Sequence, residues 1–233
     1  MTKESIIFIQ SKLYDAARLI GTFLEVQRGF FQHHQFLILT HAKHGSIYLP
    51  ELEYKDLFTL NKLPTYHPDE YSNNELAFIQ KQLLSFKYPK QILFEQTQKS
   101  YDDIKLEINK KLQFLFPTIY PNIVSVTIIV TPFGSDGSFD YKKVADKHRL
   151  FIWIRNAGCS IDQAVSHLIH CLISAYVLVA TNIPDSLNNQ WKNREAITDF
   201  LMMNTFNTSE LKYLSTTLRV IESKQKPHYL VAE

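Results

Sequence analysis

The residues best able to do chemistry fall between Ser160 and Asp199. The stretch Asp162-Gln163-Ala164-Val165-Ser166-His167-Leu168-Ile169-His170-Cys171-Leu172-Ile173 sets Gln163, His167, His170 and Ser174 at i, i+4, i+7 and i+11. At that spacing they form one narrow polar stripe along a helix that is otherwise apolar. A buried imidazole needs a partner, because leaving it unsatisfied costs about 1–3 kcal/mol. Either the two histidines are core groups bonded to backbone carbonyls or to a carboxylate on a neighbouring helix, or they hold a metal. Trp191-Lys192-Asn193-Arg194-Glu195-Ala196-Ile197-Thr198-Asp199-Phe200 places Glu195 and Asp199 one turn apart on a single face. Ala196, Ile197, Phe200 and Leu201 are expected to pack inward. Alone, such an acidic pair is a solvated edge. It follows His170 by 25 residues, however, enough chain to return and lay Glu195 against the first helix.

The elements that must position these groups are legible in the apolar pattern. Ile6, Ile9, Leu13, Ala16, Ala17 and Ile20 recur every three or four residues and predict a helix. From Phe23 to Tyr54 the pattern becomes short runs rich in β-formers, Phe36–Thr40 and Ser46–Leu49. His44-Gly45 between them is a turn signal, so a small antiparallel piece is expected. Leu76, Ile79, Leu83 and Leu84 predict a helix from Asn73, broken before Pro89. A further helix is expected from Tyr101 to Phe114, with Ile104, Ile108, Leu112 and Leu115 facing in. Ile123–Thr131, dense in Val, Ile and Thr, is the strongest strand signal. Pro132–Lys147 reads as a loop carrying Gly134, Asp136 and Gly137, and Leu150–Arg155 as a second strand. Ser160 and Gln163 have the spacing of a capping box that opens a buried central helix running to Ala180. Helices are also expected over Asn193–Met203 and from Ser209, with Leu211, Leu214, Leu218 and Ile221 on one face and a loose tail from Lys224.

Taken together, Ile123–Met203 resembles the gluzincin class of zinc metallopeptidases, of which thermolysin is the type member. In that class a small sheet precedes a buried helix bearing His-Glu-x-x-His, whose histidines bind zinc and whose Glu is the general base. A later helix bears Glu-x-x-x-Asp, which supplies the third ligand and a carboxylate that orients a ligand histidine. Glu195-Ala196-Ile197-Thr198-Asp199 looks like that second motif, and His170 matches the second histidine of the first. Ser166 stands where the class has its first zinc ligand, and His167 where it has its general base. The base alone is worth about 10²–10⁴ in rate, and a serine hydroxyl is a poor zinc ligand, so standard proteolysis is not expected. Three readings follow. The domain keeps the fold and cleft and acts by binding a peptide or protein; or a shifted site of His167, His170 and Glu195 holds zinc for a hydrolase, with Asp199 orienting a histidine and His167 with Cys171 as a variant; or these groups form a buried hydrogen-bonded cluster.

Other candidates are weaker. His33, His41 and His44 would bind metal only if they converged, and His33, His34, His41 and His44 read as surface residues. Pro132–Ser138 has the glycines of a phosphate loop but not its Lys-Ser/Thr. Lys142-Lys143 and Lys147-His148-Arg149 form a modest basic cluster, and Phe30, Phe31, Tyr54 and Phe58 read as core. With 233 residues, 45% hydrophobic, the chain can bury a sizeable core. Lys plus Arg number 25 against 23 for Asp plus Glu, a near balance that argues against a nucleic-acid partner. Two cysteines cannot make a disulfide framework. No signal pattern opens the chain and no run of 18 apolar residues occurs, so a cytoplasmic protein with no membrane partner is expected. The resulting expectation is an α+β fold: a small mixed sheet packed on a zincin-like active-site helix, with further helices at both ends. Residues 1–60 are set apart as a small N-terminal αβ piece, and 61–233 as the zincin-like domain.

Overall fold

The computed structural model describes residues 5–54, 63–86, 92–181 and 188–206. In chain order its elements are β1 (Ser5–Ile9), α1 (Lys12–Gln27), the one-turn helix α2 (Phe30–His33), β2 (Ile38–Leu39), β3 (Ile47–Tyr48), α3 (Asn73–Gln82) and α4 (Ile92–Leu115). They continue with β4 (Ile123–Thr131), β5 (Gly137–Val144), β6 (Lys147–Arg155), α5 (Ile161–Thr181) and α6 (Asn188–Leu201), which passes into a π-helical turn, Met202–Phe206. The fold is α+β. Its sheet runs in the order β1-β4-β6-β5, with β1 and β6 parallel to β4 and β5 antiparallel to β6.

The period-2 pattern of β4 and β6 decides what each face touches. Val126, Ile128 and Val130, with Leu150, Ile152 and Ile154, join one core with Ile108 and Leu112 of α4 and Leu168, Leu172 and Tyr176 of α5. On β6, Phe151 and Trp153 alternate with that set, and their rings meet Tyr66 and His67 instead. A second core joins Ala16, Ala17 and Ile20 of α1 to Leu76 and Ile79 of α3 and to Phe133. The capping box opens α5 as expected: Ser160 Oγ accepts from the Gln163 amide (3.2 Å) and Gln163 Oε1 from the Ser160 amide (2.9 Å). By length and hydropathy α5 could cross a membrane, but 78% of its most apolar window is buried within this fold.

Several local expectations are corrected. The first residues form a strand, not the start of a helix: Ile-Ile-Phe-Ile favours extended backbone and docks parallel on β4, Ile7 opposite Thr127 and Ile9 opposite Ile129. Ser11 then caps α1 through its hydrogen bond from the Leu13 amide (3.2 Å). β2 and β3 pair parallel, not antiparallel, with Ile38 opposite Ile47. Half of the expected loop Pro132–Lys147 is strand β5, whose charges at Asp140, Lys142 and Lys143 hid it. The helix expected from Tyr101 starts at Ile92, and Leu84 is exposed. Helix α6 buries a more polar face than expected: Arg194, Glu195 and Thr198 face inward with Leu201 packed against the core, whereas Ala196, Ile197 and Phe200 (64% exposed) face solvent. Phe30 is half exposed, while Phe31 is core and Tyr54 stacks on Phe23. Phe58 and the expected helix from Ser209 lie outside the described residues.

Candidate functional site

The polar stripe of α5 meets two different neighbours. Near its C-terminal half, Ser174 Oγ donates to Thr198 Oγ1 (3.0 Å), and Thr198 Oγ1 donates to the Arg194 carbonyl (3.0 Å). These bonds fix α6 against α5 and bring its acidic pair onto the stripe. His170 Nε2 lies 3.2 Å from Asp199 Oδ1 and 3.6 Å from Glu195 Oε2. Glu195 also meets Arg194 Nε at 3.3 Å. Burial alone would push His170 down. The Asp199 hydrogen bond, with Cys171 and the Glu195 charge behind it, outweighs burial and carries the imidazole up to about 10. His170 therefore favours the imidazolium form at neutral pH, with Nε2 donating to Asp199.

One turn nearer the N-terminus, His167 faces the β4–β5 connection. Its Nε2 lies 3.6 Å from Asp136 Oδ2, and its ring centroid 5.2 Å from that of His44. Asp136 is held from several sides. The Gly45 amide donates to Oδ2 at 2.7 Å, His44 Nδ1 lies 2.9 Å from the same oxygen, and Arg155 Nη2 donates to Oδ1. Arg155 is fully buried and also reaches the Lys43 carbonyl (2.5 Å), tying the β2–β3 connection to the sheet. Burial alone would push Asp136 up. The His44 hydrogen bond and the charges of His167 and Arg155 hold its carboxyl well below the usual carboxylate range. Cys159 Sγ lies 3.6 Å from Asp136 Oδ1, and burial with that negative charge pushes its thiol up to about 12.

Both clusters border a cavity of about 240 Å³, whose lining includes apolar Phe30, Phe31, Phe36 and Ile47 as well as Asp136, His167, His170 and Glu195. Gly137, the first residue of β5, forms part of its rim because a Cβ there would stand 2.6 Å from Cys171 Sγ. That contact sets how closely β5 lies over α5. Glu25 also lines the cavity. Its carboxylate accepts from the Tyr66 hydroxyl, and burial, opposed by that bond and by Arg18, pushes it up to about 7. Buried Arg18 stacks 3.8 Å above the Tyr66 ring and donates to Ser138 Oγ (2.7 Å) and Ser135 Oγ (2.8 Å), fixing the loop that carries Asp136. Gly134 adopts φ +81° against this guanidinium, where no side chain would fit.

The structure thus brings Glu195 and Asp199 to His170 and gives His167 to a different set. Ser166, in the first-ligand position implied by the resemblance, is fully buried in α5. His170 and Glu195 of the expected set His167, His170 and Glu195 stand together, while His167 faces Asp136 and His44. Among the described residues, the group of metal-capable side chains whose donor atoms lie within 4.8 Å of one another is His44, Asp136 and His167. The sequence had Asp136 only as part of a loop, and His44 as a turn or surface residue or as a ligand with His33 and His41; the structure groups it with Asp136 and His167 instead. Arg18, Glu25 and Arg155 had no signal at all. Compared with family models, with curated proteins and with solved structures, the chain matches none.

Proposed function

We propose that this chain is a metallopeptidase-like domain that binds an extended peptide or protein segment and lacks the standard zinc-peptidase reaction. The observation that carries this reading is β5, an edge strand set antiparallel on β6 and packed over α5 through Gly137, with the cavity at its head. An edge strand offers backbone donors and acceptors to an added strand, and side-chain pockets beside it supply selectivity. The cavity has room for a single side chain, with both apolar and charged residues in its lining. Asp140, Lys142 and Lys143 along β5 discourage indiscriminate pairing, so the groove favours a partner that complements these charges.

The arrangement of the side chains argues against standard turnover. The first-ligand position holds a buried serine. The base position holds His167, already engaged with Asp136. The third-ligand position, Glu195, is paired with Arg194 and His170. A nuclear magnetic resonance titration with a pool of unstructured peptides tests the reading. Shifts are expected at the β5 amides and the cavity rim, with no cleavage of a quenched fluorescent peptide mixture with or without added zinc. Shifts confined to other surfaces, or none at saturating peptide, would remove the binding reading. Cleavage abolished by Glu195→Gln would replace it with a hydrolase.

A further inference from the structure

The cluster around Asp136 borders the cavity of the proposed peptide groove, and it has the composition of a metal centre. We infer that His44, Asp136 and His167 form a site for one divalent transition-metal ion of zinc type. The three ligands come from three separate elements: the β2–β3 connection, the β4–β5 connection and α5. Asp136 Oδ2 lies between the two imidazoles, 2.9 Å from His44 Nδ1 and 3.6 Å from His167 Nε2. Ligand atoms about 2.0–2.2 Å from a tetrahedral zinc stand roughly 3.3–3.5 Å from one another. The two carboxylate-to-imidazole distances reach that geometry by adjustments of a fraction of an ångström, and all three donor atoms lie within 4.8 Å of one another.

The surroundings suit the role. The far oxygen of Asp136 is held by Arg155, so the carboxylate already has the orientation that a ligand needs, and Arg155 takes up charge without occupying Oδ2. Two imidazoles and one carboxylate are a borderline donor set, matched to zinc, cobalt or nickel rather than to magnesium or calcium, which want oxygen alone. His44 is 35% exposed, which gives an ion a way in, and Asp136 and His167 line the cavity, which leaves a coordination position open towards it. Cys159 Sγ flanks the group, 4.0 Å from His44 Nδ1. An ion here would clamp the β2–β3 connection onto α5 at one end of the cavity.

The test is calorimetric titration of zinc chloride into the chelator-treated full chain, repeated with cobalt chloride to read the visible bands of a tetrahedral site. One ion per chain is expected. His44→Ala and His167→Ala should each weaken binding at least about tenfold, and Glu195→Gln should leave it within about twofold. His44→Gln is a second variant in case the alanine disturbs the loop, and circular dichroism checks the fold of each. The proposal is overturned if about 100 μM zinc gives no binding, as a purely hydrogen-bonded His–Asp–His cluster predicts. It is equally overturned if Glu195→Gln weakens binding as much as His44→Ala, because the ion would then sit with His170.

Discussion

His167 and His170 stand three residues apart on one buried helix, yet they live in opposite electrostatic settings. His170 faces two carboxylates, Glu195 and Asp199, delivered by α6, and Arg194 pairs with Glu195. His167 faces one carboxylate, Asp136, whose charge is already shared with His44 and the buried Arg155. The first setting fixes a proton on the imidazole and makes a rigid ion pair. The second gathers three side chains around one carboxylate, His44 and His167 at Oδ2 and Arg155 at Oδ1. The contrast teaches that a histidine's role is set by how many negative charges its neighbours bring, and by what else neutralises them, rather than by its place in a motif.

Asp136→Asn should break the comparison most severely. It leaves Arg155 buried without its counter-charge, and loss of one partner from a buried ion pair costs about 3–5 kcal/mol. Urea denaturation would read that loss, whereas Asp199→Asn at the other cluster should cost clearly less because Asp199 is partly exposed. Gly137→Ala should come next, at roughly 1–3 kcal/mol for overpacking against Cys171. Combining it with Cys171→Ala should recover part of the loss, because the two sites share the contact.

The acid–base behaviour separates the clusters again. His170 is raised from 6.5 to about 10, so the fold favours its charged form. Its contribution is complete below pH 6.5 and is lost as pH rises through 10. Glu25, raised from 4.5 to about 7, has the same sign at lower pH: its cost to stability grows between pH 4.5 and 7 and is constant above that. Stability should therefore fall between pH 7 and 10 by at least about 1.4 kcal/mol, the worth of one pKa unit, and Asp199→Asn should flatten the slope. Asp136 is lowered, so its contribution is present above 3.8 and disappears as acid protonates it. Guanidinium melts across pH would show whether the alkaline limb belongs to His170. The smallest expected effect is Ser174→Ala, about 1 kcal/mol for the lost bond to Thr198, read as a small drop in Tm.

How much was legible follows from range. Helix α5, its capping box, strand β4 and the convergence of Glu195 and Asp199 on His170 could all be anticipated, because each depends on periodicity or on one short connection. The burial face of α6 could not. Its exposed Ile197 and Phe200 look like core residues, and only packing against Ser174 and His170 turns the polar face inward. Strand β5 was hidden for a related reason: an edge strand carries charge on its exposed positions, so alternation alone does not declare it.

The amino-acid pattern by itself determined the elements whose stability is local or one-sided: the apolar central helix, the β-branched strand before it and the acidic pair on the last described helix. Tertiary structure alone decided the partner of His167. His44, Asp136 and Arg155 are separated from one another by up to 111 positions along the chain, and no local spacing encodes their meeting. They come together because β4, β6 and α5 pack around one core, and because a buried arginine must find a carboxylate wherever the fold places it.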